Sequence, residues 1–248
     1  MKKFALTLLC LFILQVSMEA QTYDFLPKGL KPLPEGARVQ ISLSLPMYLE
    51  NGDKLEQMAA VKHVSSPDYK MSVFVGEDNQ PAAIVLVEAS AEEKAAKLAQ
   101  LMAMDNTGDW RGKEAPDFQV VNMDGEKINL SDLKGKVVAL NFWFIGCKPC
   151  IIEMPELNEL VEKYEKEGVV FVAFALDTKN RLDPFLKKKA FDYNIIPQAR
   201  SVSQTYSVSG YPSHFLIDKE GKVDFFQTGY NGGLSAILDK RIGDLLNN

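Results

Sequence analysis

The sequence predicts an α/β layered domain in the second half of the chain, behind a small α+β unit, on three observations. Val137 to Phe144 and Val169 to Leu176 are almost wholly apolar, as strands buried on both faces are. A helix-like segment, Ile151 to Tyr164, lies between them, giving strand–helix–strand order. The chain then closes with two strand-like runs and an amphipathic segment, Leu234 to Leu246.

The first 20 residues read as a targeting segment. Lys2-Lys3 precede an apolar stretch, Phe4 to Val16, that is short for a bilayer span. Cleavage after Ala20 would leave Met18 three residues before the cut, an imperfect motif, and an uncleaved membrane anchor is the alternative. Cys10 lies inside the apolar stretch behind Leu8-Leu9, which argues against lipidation. The expected location is therefore periplasmic or otherwise exported.

Residues 21–104 are expected to form the α+β unit. The segment up to Pro34 is an irregular lead-in, and Arg38 to Leu45 alternates as a half-buried strand does. Tyr69 to Val75 and Ala82 to Glu88 flank the turn cluster Gly76 to Pro81, predicting a hairpin. Ser90 with Glu93 three residues on predicts a capped helix reaching about Met104. Residues 105–112 are the expected linker and 113–248 the α/β domain. In that domain Asp117 to Leu130 should be a hairpin around Asp124-Gly125, and Asp183 should open a helix with Pro184 at its first position. Pro155 should kink the helix that contains it. Ser213 to Asp218 and Lys222 to Gln227 should pair across Lys219-Glu220-Gly221.

Composition sets limits on function. With 46% hydrophobic and 25% charged residues, the chain can build a core without metal or disulfide staples. A net charge of −5 with no long basic run weighs against nucleic acid as a partner, and Lys187 to Lys189 reads as a solvated face. There are three cysteines, and loss of the leader would leave only Cys147 and Cys150.

That pair carries the chemistry. Cys147-Lys148-Pro149-Cys150 sits where a strand turns into a helix. The first sulfur then lies at a helix N-terminus, where the backbone dipole favours thiolate. Two intervening residues let the second thiol resolve a mixed disulfide formed by the first. The competing reading, half of a zinc site, requires two more Cys or His ligands, and no second pair exists. No histidine lies between the cysteines to stabilise the reduced form strongly, which leans toward a reductase. Glu153 either manages the proton of the resolving thiol or simply complements the helix dipole. Asn141 is polar in an apolar strand and must find a hydrogen bond if buried. Tyr211-Pro212 precedes a strand, where an X-Pro bond is either cis or an ordinary trans turn. His214, two residues on, has no assigned face, and His63 reads as structural.

These residues together resemble the thioredoxin superfamily, and within it the TlpA/ResA-like branch of exported thiol–disulfide oxidoreductases. The matching segments are Ala115 to Phe118, Asp124-Gly125, Leu130 to Lys136, Asn141 to Trp143, Cys147 to Cys150, Glu153, Pro155 to Leu157, and Gly210 to Asp218 with Gly221. The resemblance implies a thioredoxin fold, Cys147 as exposed nucleophile, Cys150 as resolving cysteine, Pro212 as a cis proline beside the disulfide, and Glu153 as active-site carboxylate. Trp143, Lys148, Pro149, Tyr211 and Pro212 are the candidate substrate contacts. No cofactor or metal is expected beyond the Cys147–Cys150 couple. Gly146 departs from the tryptophan usual before the first cysteine, so the rim should be smaller and more apolar. Residues 21–104 lie outside the resemblance.

The leading function is thus a dithiol reductase for protein disulfides, for example before haem attachment to c-type cytochromes, fed by a membrane thiol–disulfide electron donor. The alternatives are an oxidase or isomerase of the same fold, and a binding module whose first unit recognises a partner. A peroxidase is disfavoured because Phe144-Ile-Gly-Cys147 lacks the threonine-bearing loop of that chemistry.

Overall fold

The computed structural model of the protein describes residues 23–248 apart from 35, 36, 38, 43, 104 and 106. The expected leader, with Cys10, lies outside the described residues. In chain order the elements are β1 (Lys31–Pro32), β2 (Met47–Leu49), α1 (Gln57–Ser65), β3 (Tyr69–Val75), β4 (Pro81–Glu88), α2 (Ala91–Ala103), β5 (Gln119–Val121), β6 (Lys127–Asn129), β7 (Val138–Trp143), α3 (Lys148–Tyr164), β8 (Val170–Ala175), α4 (Lys179–Leu186), β9 (Asn194–Ile196), α5 (Arg200–Thr205), β10 (Ser213–Ile217), β11 (Val223–Thr228) and α6 (Leu234–Asn247).

The first sheet has the order β1-β3-β4-β2. Alternate residues of β4 serve two small cores: Ala83 and Val85 pack with Leu26 and Phe74, whereas Ile84 and Leu86 pack with Met47 and Ala60 of α1. The predicted hairpin is β3–β4. The expected strand over residues 38–45 does not form in its described residues, and the next segment to pair after β1 is β2, parallel to β4. Alternation alone could not place it, because the strand that pairs is a neighbouring three-residue segment. At the start of α2 the Glu93 carboxylate accepts from the Ser90 amide at 2.8 Å, and the Glu93 amide donates to Ser90 Oγ at 3.2 Å. This reciprocal pair satisfies two of the donors a helix start leaves open.

The second sheet has the order β11-β10-β7-β8-β9, with β7, β8 and β9 parallel and β10 antiparallel to both neighbours. This is the thioredoxin fold. Every residue of β7 is buried. Its odd residues, Ala139 and Trp143, pack under α3 and α6, and its even residues, Val138, Leu140 and Phe142, pack with Phe174, Tyr206 and Phe215. A strand buried on both faces is what the apolar run predicted. The α4 helix starts at Lys179, earlier than the Asp183 expected, because the Thr178 carbonyl accepts from both Arg181 and Leu182 and closes the first turn there. Pro184 is therefore inside the helix. The elements α1, β9 and α5 are short and had no strong periodic signature.

Residues 107–112 run along β11. Phe226 donates its amide to Thr107 Oγ1 at 3.0 Å, and Trp110 packs edge-on to Phe215 with centroids 5.1 Å apart. The two sheets also meet through α1 and α2. Lys62 pairs with Glu156 of α3 at 2.8 Å, and Leu101 packs against the core beneath α3 and α6. Among the described residues, no helix is long and apolar enough to cross a membrane.

Candidate functional site

The end of β7 delivers the chain to the helix that carries the chemistry. The turn is tied twice: Cys147 N–H donates to the Phe144 carbonyl at 3.0 Å, and Ile145 N–H donates to Asp177 Oδ2 at 2.7 Å. Asp177 is itself buried at the end of β8 and held by Arg181 at 2.8 Å. Cys147 is the N-cap of α3, with extended backbone, and Lys148 and Pro149 fill the first helical positions, where proline's missing N–H costs nothing. Cys147 and Cys150 form a disulfide with Cα atoms 5.3 Å apart. The Cys147 sulfur accepts from the Cys150 amide at 3.3 Å. When the bond is reduced, that amide and the helix dipole favour negative charge on Cys147.

One turn further on, α3 turns a carboxylate inward. Its buried stripe runs Cys150, Glu153, Met154, Leu157, Leu160, Val161, Tyr164, the spacing of one helix face. Glu153 thus lies on the same face as Cys150, three residues away. Below it, Asn141 of β7 and His214 of β10 are cross-strand partners. Asn141 Nδ2 donates to Glu153 Oε1 at 3.2 Å and lies 3.3 Å from His214 Nδ1. His214 Nε2 is 3.0 Å from the same Oε1. Glu153, Asn141 and His214 are 3%, 1% and 1% exposed. A buried carboxylate with such partners, beside a dithiol, can take and return a proton.

Two tyrosines complete this environment. The Tyr193 hydroxyl is pushed well above its usual range by burial and then by the Glu153 charge. Tyr230 is pushed up to about 12 by burial, then by Glu156 and Glu153. Both stay protonated wherever the protein works. No group of three or more potential metal ligands occurs among the described residues.

Residues 111–226 match the AhpC/TSA family. The thiol–disulfide oxidoreductase ResA of Bacillus cereus (strain ZK / E33L) is 47% identical over 114 residues, 45% of this chain and 66% of that protein. ResA of Geobacillus thermodenitrificans is 40% identical over 120 residues, covering 48% of this chain and 69% of that protein. A solved structure assigned as the thiol:disulfide interchange protein DsbE of Chlorobium tepidum superposes with a TM-score of 0.52 at 32% identity, over 55% of this chain and 97% of its own. The chain belongs to the TlpA/ResA-like branch of the thioredoxin superfamily. The similarity to the Bacillus cereus protein spans slightly under two thirds of that relative's length, and residues before 111 lie outside the family match.

The TlpA/ResA-like site gathers most of the residues singled out from sequence. Cys147, Cys150 and Glu153 share one end of α3, and Tyr211-Pro212, a cis peptide, leads into β10 beside β7. Tyr211 packs edge-on to Phe144 with centroids 5.4 Å apart. Gly146 and Lys148 are exposed, and Pro149 and Tyr211 are half-buried. Two expectations are corrected. Trp143 is no substrate contact: it is 0% exposed and packs between Phe185 and Phe191, because odd residues of β7 point under α3. Cys147 is not openly exposed. It is 5% exposed, because its N-cap position turns the sulfur toward the Cys150 amide.

Local pattern assigns His214 no face and singles out neither Asp177 nor the two tyrosines. All of Ser213 to Ile217 are buried, so period-two alternation carried no information about which way His214 points. His63, read as structural, bonds the Ala59 carbonyl at 2.7 Å and lies edge-on to Tyr69.

Proposed function

We propose that the protein is an exported dithiol reductase that acts on protein disulfides through the Cys147/Cys150 couple. The observation that carries this reading is a disulfide at the start of α3 with a buried carboxylate one turn behind it. Cys147 attacks the substrate disulfide and forms a mixed disulfide. Cys150 gives its proton to Glu153, attacks Cys147 and releases the substrate thiolate, so each cycle reduces one substrate disulfide and oxidises the couple. The substrate contacts proposed with it are Lys148, Pro149 and Tyr211, which keep exposed surface, and the buried cis Pro212. The couple is its own redox group, and a membrane thiol–disulfide donor returns the two electrons. Substrates include proteins whose cysteines must be reduced, as before haem attachment.

The reductive direction rests on the Lys148-Pro149 linker, which holds no histidine to stabilise the reduced form. The test is the midpoint potential of the couple in a thiol redox buffer. Thioredoxin lies at about −270 mV and the oxidant DsbA at about −120 mV. A value near the first supports the reductase. A value near the second assigns the protein to disulfide donation or isomerisation.

A further inference from the structure

The Asn141–Glu153–His214 cluster contains more detail than a proton acceptor alone needs. Asn141 Nδ2 has two hydrogens and two neighbours, Glu153 Oε1 and His214 Nδ1. Reversing the amide would set its oxygen against the carboxylate, so the nitrogen belongs there. A ring nitrogen that accepts from an amide carries no proton, so the proton of neutral His214 is on Nε2. Nε2 is the atom facing Glu153 Oε1 at 3.0 Å. The contact is close without being a hydrogen bond, and among the described residues Nε2 has no bonded partner. Glu153 Oε2 also has none. Oε1 is therefore faced by two donors, and Oε2 is free.

We propose that His214 is a positioning residue for Glu153: with Asn141 it holds Oε1, leaving Oε2 as the oxygen that receives the Cys150 proton. This rests on the proposed role of Glu153 as proton acceptor. In the step, the Cys150 S–H bond breaks and its proton passes to Oε2. The Cys150 thiolate then bonds to the Cys147 sulfur and displaces the substrate thiolate, which recovers the proton from Oε2 directly or through water. The substrate disulfide is the oxidant, and the electron count closes.

Asn141 of β7 and His214 of β10 contact Glu153, its charge acts on Tyr193 ahead of β9 and Tyr230 after β11, and Cys150 and Glu156 lie three residues away on α3. Glu156 is engaged by Lys62 and Ser235. Tyr193 and Tyr230 are pushed above the working range. Between pH 5 and 9, a range bracketing the ordinary histidine value, neither tyrosine therefore shapes the rate of resolution.

The experiment measures single-turnover resolution of a Cys147 mixed disulfide, made with an aromatic disulfide probe, across that pH range in the full-length protein. It compares wild type with His214→Leu, His214→Gln and Glu153→Gln. The expected result is a loss on the order of 100-fold for Glu153→Gln and roughly tenfold for His214→Leu. His214→Gln, which restores a donor, should recover most of the neutral-pH rate but lack the histidine-dependent limb of the profile. A wild-type rate and profile in His214→Leu, with Glu153→Gln impaired, overturns the proposal and leaves the Glu153 role standing. A wild-type Glu153→Gln overturns both. Should the His214 variants not fold, nitrogen NMR of the wild-type ring decides. A proton on Nε2 supports the proposal and a proton on Nδ1 overturns it; the only other histidine to assign is His63.

Discussion

Replacing Gly232 with alanine tests how the first sheet is seated beside the redox helix. A Cβ at Gly232 would lie 2.5 Å from the Lys62 carbonyl oxygen and 2.7 Å from Ser65 Cβ. That oxygen accepts the Ser66 amide at the C-terminus of α1, and the Lys62 ammonium holds Glu156 on α3. The clash is with backbone, at least half an ångström inside the closest approach Cβ atoms make, so α1 must move away. Overpacking of this kind costs about 1–3 kcal/mol, or several degrees in Tm at roughly 2–4 °C per kcal/mol for a chain of this size. Gly243→Ala is the control. It lies inside α6, where its Cβ would meet only Tyr164 Oη at 3.6 Å, an ordinary contact. Helix propensity then favours alanine by up to about 1 kcal/mol. Thermal unfolding should therefore fall for Gly232→Ala and rise for Gly243→Ala, with the midpoint potential unchanged in both because neither touches Cys147 or Cys150. A neutral Gly232→Ala would refute the close seating of α1 on this loop.

Two further outcomes can be checked. Cys150→Ser should accumulate a mixed disulfide on Cys147 that non-reducing electrophoresis detects, whereas Cys147→Ser should not; the reverse pattern exchanges the two roles. The Glu93 carboxyl is held at about 2 by its bond from Lys70, with help from the Ser90 amide. A folded value below the usual 4.5 means that its stabilisation is present above that value and is lost as pH falls through about 2. The Tm gap between wild type and Glu93→Gln should therefore be open at pH 6 and close as the solution approaches pH 2. A gap independent of pH would show that the reciprocal cap does not depend on the charge.

The sequence by itself determined the elements whose signal is local. Apolar runs such as Val137 to Phe144 announce buried strands because both faces are covered. Ser90 and Glu93 announce a helix start because their spacing satisfies open backbone donors. Cys147 and Cys150 announce redox chemistry because that spacing at a helix start lets one thiol resolve the other's adduct. Short elements held mainly by their neighbours, β2, α1, β9 and α5, left little such trace. Tertiary structure alone decided which side chains meet. Trp143 and Asn141 alternate identically on β7, yet one is packed among phenylalanines and the other lies under Glu153. His214 reaches that carboxylate only through the β10–β7 register, a pairing between residues 73 apart. Local pattern records how a segment buries itself, and contacts of that range depend on how segments are stacked.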